Sequence, residues 1–143
     1  MSLDDLKHAV LEANLATVRN GLVIATFGNA SAIDRASGQV VIKPSGVPYD
    51  RMTADCMVVS DLDGRVLDNR MRPSSDLDTH LVLYRAFPGV GAVIHTHSTF
   101  ATILAQCLCP IPPMGTTHAD YFHGTIPVTR HLTPEEIASD YVR

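Results

Sequence analysis

Two tight-turn signals constrain how this chain can fold. Ser37-Gly38 precedes the run Gln39-Val40-Val41-Ile42, and Asp63-Gly64 stands between Met57-Val58-Val59-Ser60 and Val66-Leu67. Glycine supplies the positive φ that short hairpin loops need, and the β-branched runs beside it fit a pleated strand. Strands joined by turns this short run antiparallel. Helical patterns surround them. Ser2-Leu3-Asp4-Asp5 fits a capping box, and Leu3, Leu6, Val10, Leu11, Leu15 and Val18 follow at helical spacing until Asn20-Gly21. Helices interleave with hairpins, so the chain reads as an α/β domain with a mixed rather than purely parallel sheet.

Further elements follow the same logic. Leu22 to Phe27 reads as a strand, with Gly28-Asn29-Ala30-Ser31 as the turn after it. Lys43-Pro44-Ser45-Gly46-Val47-Pro48 cannot be regular structure. Pro73-Ser74-Ser75-Asp76 looks like a helix start, with Leu77, Leu81 and Tyr84 as the buried stripe and Pro88-Gly89 as the stop. Val90 to His97 reads as a strand, and Ser98 as the cap of a helix with Phe100, Ile103, Leu104 and Cys107 inward. Pro110 to Pro113 is a stiff loop, and Thr117 to Thr125 a short polar stretch. Thr133-Pro134-Glu135-Glu136 has Thr at the cap, Pro at the first helical position and Glu at the third. That helix carries only Ile137, Tyr141 and Val142 as apolar residues, so it reads as the start of something longer.

Composition narrows the function classes. Apolar residues make up 45% and charged residues 18%, a globular rather than disordered balance. The net charge of −4 gives no basic excess for a nucleic-acid or anionic-membrane surface. No stretch approaches the ~18 apolar residues of a membrane span, and no apolar signal core follows Asp4 and Asp5. Cys56, Cys107 and Cys109 are too few for a disulfide framework and read as free thiols, so a soluble cytoplasmic protein is expected.

The chemistry gathers in a few places. On a strand, residues two apart share a face, so His95 and His97 would present two imidazoles side by side, a spacing that suits zinc. A catalytic zinc usually has three protein ligands; Asp76, Asp78, His80, His118, Asp120 and His123 are candidates for the third, and Asp76 has an alternative as a helix cap. Ser74-Ser75-Asp76 sets hydroxyls and backbone N–H groups at a helix start, where anions are favoured. Lys43-Pro44-Ser45-Gly46 offers an ammonium, a hydroxyl and an open backbone; Gly28-Asn29 offers another close approach and an amide. Together with the histidine pair they point to a phosphorylated, oxygen-rich substrate. Asp120 could serve as a general acid or base.

In combination these stretches resemble the class II aldolase/epimerase superfamily. The carrying residues are Leu11-Glu12-Ala13-Asn14-Leu15, Gly28-Asn29-Ala30-Ser31, Ile42-Lys43-Pro44-Ser45-Gly46-Val47, Met52-Thr53-Ala54-Asp55, Pro73-Ser74-Ser75-Asp76, His95-Thr96-His97-Ser98 and Gly115-Thr116-Thr117-His118-Ala119-Asp120-Tyr121-Phe122. The resemblance runs over essentially all 143 residues, and its last block favours the superfamily's sugar-phosphate epimerases over its fuculose-phosphate aldolases.

The resemblance implies a three-layer α/β/α fold with a mixed, largely antiparallel central sheet. It implies a single domain over 1–143 that is incomplete at its C-terminal end, because family members are longer. By position, Asp76, His95 and His97 would belong to a zinc site, one ion per subunit, with the third histidine ligand beyond residue 143. Gly28, Asn29, Lys43, Ser45, Gly46, Ser74 and Ser75 would hold the sugar phosphate, and Asp120 would be a catalytic acid/base. Tyr141 does not match the family's C-terminal catalytic tyrosine. The implied activity is conversion of L-ribulose 5-phosphate to D-xylulose 5-phosphate at C4 by retro-aldol and aldol steps, in a homotetramer with active sites at subunit interfaces. The alternatives are a sugar-phosphate aldolase, such as one for fuculose phosphate, and a non-catalytic fragment that keeps an oligomer surface.

Overall fold

Helix α1 (Leu3–Arg19) starts where its capping box predicts. The Asp5 N–H donates to Ser2 Oγ and the Ser2 N–H donates to the Asp5 carboxylate, both at 3.1 Å. The computed structural model describes residues 1–68 and 71–139; Tyr141, Val142 and Arg143 lie outside the described residues. The chain divides into two compact units, Met1–Thr96 and His97–Arg143.

The first unit is built on four strands, β1 (Asn29–Asp34), β2 (Gln39–Ile42), β3 (Val58–Ser60) and β4 (Ala92–His95), in the order β3-β2-β1-β4. All three pairings are antiparallel, so the parallel component of a mixed sheet is absent among the described residues. Both hairpin signals are realised. β1 turns into β2 with Asp34 opposite Gln39 and Gly38 at φ 71°; β3 returns through Gly64 to an isolated bridge between Ser60 and Val66.

The alternation of β2 and β3 sorts the core into two layers. Val41 and Val59 face α1, packing with Leu6, Val10, Tyr49, Met52 and Met57. Val40, Ile42 and Val58 face the opposite way, packing with Ile33 and with Leu77, Leu81 and Tyr84 of α2 (Leu77–Ala86). Each such side chain, taken fully from water, contributes roughly 1.5–3 kcal/mol. The sheet is thus covered by α1 on one face and α2 on the other, the three layers of an α/β/α unit.

The segment expected as a strand, Leu22 to Phe27, is not one; the strand begins at Asn29. Ala25 sits at φ 52° and Gly28 at φ 76°, which breaks an extended run. A backbone turn takes the Ile24 carbonyl, with Phe27 N–H donating at 3.0 Å, and side chains take those of Thr26 and Phe27. Lys43 Nζ donates to the Thr26 oxygen at 3.0 Å, and the Tyr49 hydroxyl lies 3.0 Å from both the Phe27 and Gly28 oxygens. A Cβ on Gly28 would stand 2.5 Å from Val23 Cγ1 and 3.0 Å from the His95 oxygen. Gly28→Ala is therefore expected to cost about 2–5 kcal/mol, combining roughly 1–2 for the left-handed backbone with about 1–3 for the clash. An unchanged midpoint in thermal unfolding would contradict this placement.

The buried face of α1 also differs from the expected stripe. Leu6, Val10, Asn14 and Thr17 are buried, whereas Leu3 and Val18 are exposed. Two polar residues can lie inside because both are paired. Asn14 Nδ2 donates to the Val10 and Ala30 oxygens at 2.8 and 3.1 Å, and its Oδ1 accepts from the Ala30 N–H at 2.8 Å. Thr17 donates back to the Asn14 oxygen at 2.7 Å.

The second unit carries α3 (Thr99–Gln106), α4 (Thr116–Tyr121), α5 (Pro134–Ser139) and a bridge between Ile111 and Ile126. Ser98 precedes α3 as expected but makes no side-chain cap bond, and Phe100, Ile103 and Cys107 are exposed rather than inward. The polar stretch from Thr117 to Thr125 begins within α4, which ends at Tyr121. At α5 the cap is as predicted: Glu136 N–H donates to Thr133 Oγ1, and the Thr133 N–H donates to the Glu136 carboxylate. No helix among the described residues is long and apolar enough to cross a membrane.

Candidate metal and substrate site

Antiparallel pairing sets Asn29 of β1 directly opposite His95 of β4. A second backbone pairing brings the start of α2 to the same place. Ser74 N–H donates to the Lys43 oxygen at 3.0 Å, Ser45 N–H donates to the Arg72 oxygen at 2.9 Å, and Pro44 bridges Pro73. Three stretches separate in sequence, Gly28-Asn29, Lys43-Pro44-Ser45 and Ser74-Ser75-Asp76, are thereby gathered at one end of the sheet.

Their side chains form a connected set. The Asn29 amide donates to Ser74 Oγ at 3.0 Å and to Asp76 Oδ2 at 2.6 Å. The same Oδ2 lies 2.8 Å from His95 Nδ1. Asp76 occupies the cap position of α2, yet its carboxylate makes no cap bond and faces His95 instead, which disposes of its reading as an ordinary helix cap. Asp76 and His95 line a cleft of about 310 Å³ with Thr79, His80, Leu83, Val93 and Ile94. That volume is at the lower end of small-molecule pockets.

The electrostatics follow from these contacts. The hydrogen bond from His95 holds the Asp76 carboxyl below the usual carboxylate range, and the same bond raises His95 above the ordinary imidazole value. Burial lowers the Lys43 ammonium, which donates to the Thr26 and Pro44 oxygens and lies 4.9 Å above the Tyr49 ring. One turn beyond Asp76, His80 is 1% exposed, and burial lowers its pKa to about 4. Its Nδ1 lies 2.7 Å from Ser31 Oγ, which lies 2.7 Å from the Tyr84 hydroxyl.

These shifts have consequences of opposite sign. His80 is depressed from 6.5, so the unfolded chain binds more protons below that value and stability falls from about pH 6.5 to about pH 4. The expected loss is about 3 kcal/mol at roughly 1.4 kcal/mol per unit. The Asp76–His95 pair contributes most between the ordinary Asp and His values. Its contribution falls on the acid side through the lowered Asp76 value and on the alkaline side through the raised His95 value. Unfolding midpoints measured from pH 4 to 7 should decline toward acid, and His80→Gln should flatten that decline. An equally steep decline in the variant would contradict the assignment to His80.

The other sequence candidates are placed as follows. Ser45, Gly46 and Ser75 are exposed on the gathered loops, Ser74 is half-buried, and Lys43 is buried. β4 ends at His95, so His97 lies past the strand and opens the second unit. Asp120 is exposed on α4 of that unit. Among the described residues no group of three or more His, Cys, Asp or Glu side chains is assembled to hold a metal. The two that are assembled, a carboxylate and an imidazole, are oxygen and nitrogen donors of the kind zinc accepts. Cys56, Cys107 and Cys109 are free thiols. Sequence reasoning quoted Asn14 only within the resemblance, Ser31 there and in a turn, and Tyr84 only as a core residue, and gave none of them a role beside the site. The available signals were spacings: Ser31 two residues after Asn29 on a strand, and Tyr84 four after His80 on a helix.

Comparisons with known proteins agree with this architecture. Over 139 residues the chain is 56% identical to the L-ribulose-5-phosphate 4-epimerase UlaF of Salmonella paratyphi B, covering 97% of this chain and 61% of that protein. The UlaF protein of Salmonella typhi matches to the same extent. Among solved structures, an L-fuculose 1-phosphate aldolase matches with a TM-score of 0.83 at 30% identity, over 90% of this chain and 60% of that one. The L-fuculose-1-phosphate aldolase of Thermus thermophilus matches with a TM-score of 0.74 at 26% identity, over 90% of this chain and 64% of that one. The chain thus spans about three fifths of the length of the curated relatives it matches. Residues 8–143 match the family described as Class II Aldolase and Adducin N-terminal domain, and to that family this chain belongs.

Proposed function

We propose that this chain carries the metal and substrate site of a zinc-dependent L-ribulose-5-phosphate 4-epimerase. The observation that carries the reading is the 56% identity to epimerases of that name over nearly the whole chain. The joined Asp76–His95–Asn29 set, of which Asp76 and His95 line a cleft, supports it. In this reading residues 1–143 act as one class II aldolase/epimerase domain, in the cytoplasm, within a tetramer whose active sites lie at subunit interfaces.

The chemistry dictates what the residues do. The hydrogen on C4 of the pentulose is not acidic, so direct proton abstraction does not invert that carbon. Breaking C3–C4 leaves the enediolate of dihydroxyacetone and an aldehyde, glycolaldehyde phosphate. The phosphate therefore rides on the aldehyde half. Rotation about C4–C5 turns the aldehyde's other face to the enediolate while the phosphate stays held, and re-forming C3–C4 gives the epimer. Gly28, Asn29, Lys43, Ser45, Gly46, Ser74 and Ser75 are assigned to holding substrate, which keeps the two fragments within reach of each other. Asp120 is assigned as the acid/base that takes the C4 hydroxyl proton during cleavage or returns it. Zinc, when held by Asp76, His95 and His97, supplies Lewis acidity. Asp76 Oδ2, itself held by the Asn29 amide, meets His95 Nδ1 and so orients the His95 ring, as partners of metal-binding histidines commonly do.

A second reading, an aldolase that releases its fragments, is favoured by the 30% identity to an L-fuculose 1-phosphate aldolase. Supplying L-fuculose 1-phosphate and L-ribulose 5-phosphate separately, with zinc, tells the two apart. The proposal expects D-xylulose 5-phosphate from the second and no dihydroxyacetone phosphate from the first. The reverse pattern would establish the aldolase.

A further inference from the structure

Below the Asp76–His95 pair lies a second polar layer, made from the next residues on the same faces. Ser31 follows Asn29 by two on β1, and His80 and Tyr84 follow Asp76 by four and eight on α2. The three form a chain, Tyr84 hydroxyl to Ser31 Oγ to His80 Nδ1, each link 2.7 Å. All three residues are buried.

The direction of the protons in this chain is determined by its closed end. Tyr84 is fully buried, and the hydrogen bond its hydroxyl makes among the described residues is to Ser31 Oγ. Among the hydrogen bonds of the described residues, the acceptor left for the phenolic proton is Ser31 Oγ. Ser31 has one proton, which then goes to His80 Nδ1. The opposite direction would leave the phenolic proton buried without an acceptor, at about 1–3 kcal/mol. A neutral imidazole that accepts at Nδ1 carries its proton on Nε2.

Nε2 is on the ring edge away from Ser31. It is buried and has no hydrogen-bond partner among the described residues, and His80 belongs to the wall of the cleft that Asp76 and His95 line. We propose that His80 is a substrate-positioning residue, a neutral imidazole whose Nε2–H is held by the Tyr84–Ser31 relay for an oxygen of the molecule that enters this cleft. This rests on reading the cleft as the sugar-phosphate site. An oxygen acceptor arriving there relieves the unpaired N–H, so the bond forms only in the complex. His80 is thereby a hydrogen-bond donor to substrate, not a third metal ligand.

The test has two arms. Long-range proton–nitrogen NMR on the full chain reads the tautomer of His80, alone and with L-ribulose 5-phosphate. The expected result is a bare Nδ1 and a protonated Nε2 in the free chain, with the Nε2–H resonance moving on addition of the sugar phosphate. Affinity for L-ribulose 5-phosphate should weaken about 2–13-fold in His80→Leu, the range of one neutral hydrogen bond. His80→Gln, which keeps a donor near the Nε2 position, should recover most of it. Affinity for inorganic phosphate should stay unchanged in both variants. A protonated Nδ1 in the free chain would overturn the proposal whether or not His80→Leu folds. Binding of L-ribulose 5-phosphate with an unmoved Nε2–H, or equal weakening in Leu and Gln variants, would overturn this assignment alone. No binding of L-ribulose 5-phosphate, with inorganic phosphate still bound, would overturn the substrate reading and this assignment with it.

Discussion

Asp76→Ala is expected to weaken zinc binding by about 10–100-fold, the range seen when a carboxylate that orients a metal-binding histidine is removed. The reason is that one carboxylate oxygen anchors two neighbours. Asn29 Nδ2 and His95 Nδ1 both meet Asp76 Oδ2, at 2.6 and 2.8 Å. Without it His95 Nδ1 loses this hydrogen bond, and among the described residues the Asn29 amide N–H keeps its bond to Ser74 Oγ. In the epimerase reading proposed above, activity should fall with metal occupancy and return in part at high zinc concentration. Competition against a chromogenic chelator measures the affinity directly. Zinc affinity equal to wild type would exclude Asp76 both as a ligand and as the group that orients a metal-binding His95.

The second large effect is expected at Asn14. This side chain acts as a short extra strand: it pairs with both the N–H and the carbonyl of Ala30, on the residue beside Asn29. Asn14→Leu has similar bulk but removes both bonds, leaving two buried backbone groups of β1 without partners. At about 1–3 kcal/mol each, the expected loss is about 2–6 kcal/mol. Denaturant unfolding reads it. A loss below about 1 kcal/mol would mean that Ala30 finds other partners and that α1 does not hold β1 in place.

Local signals located much of this fold. The capping boxes at Ser2 and Thr133 form as their side chains predict, because a cap needs only residues three apart. The hairpins at Gly38 and Gly64 form for the same reason. The errors arose where distant side chains decide local structure. Leu22 to Phe27 has strand-like composition, yet its Thr26 and Phe27 carbonyls are taken by Lys43 and Tyr49, roughly twenty residues away. A stripe of apolar residues on α1 passes over Asn14, because the partner that lets Asn14 lie inside is on β1. Phe100 was expected inward from its helical spacing and is exposed. Spacing identifies a face of a helix and cannot say what covers it.

The candidate site was legible in the same uneven way. Asn29, Ser74, Asp76 and His95 come together, and the resemblance to the superfamily had singled out all four. The residue pattern alone left Asp76 among six possible third ligands. The expected pairing of His95 with His97 relied on a strand continuing to His97, and β4 stops at His95. Ser31, His80 and Tyr84 were each noted separately but not as one layer, because His80 and Tyr84 are 49 and 53 residues from Ser31 and only the fold joins them.

The most direct test of the epimerase reading follows one atom. L-ribulose 5-phosphate carrying deuterium on C4 is incubated with the zinc-loaded protein, and the products are separated and weighed by mass spectrometry. The account predicts D-xylulose 5-phosphate that retains the deuterium, because the C3–C4 bond breaks and the C4–H bond does not. Loss of deuterium to solvent would contradict the retro-aldol route, and a reaction yielding no D-xylulose 5-phosphate would contradict the epimerase itself.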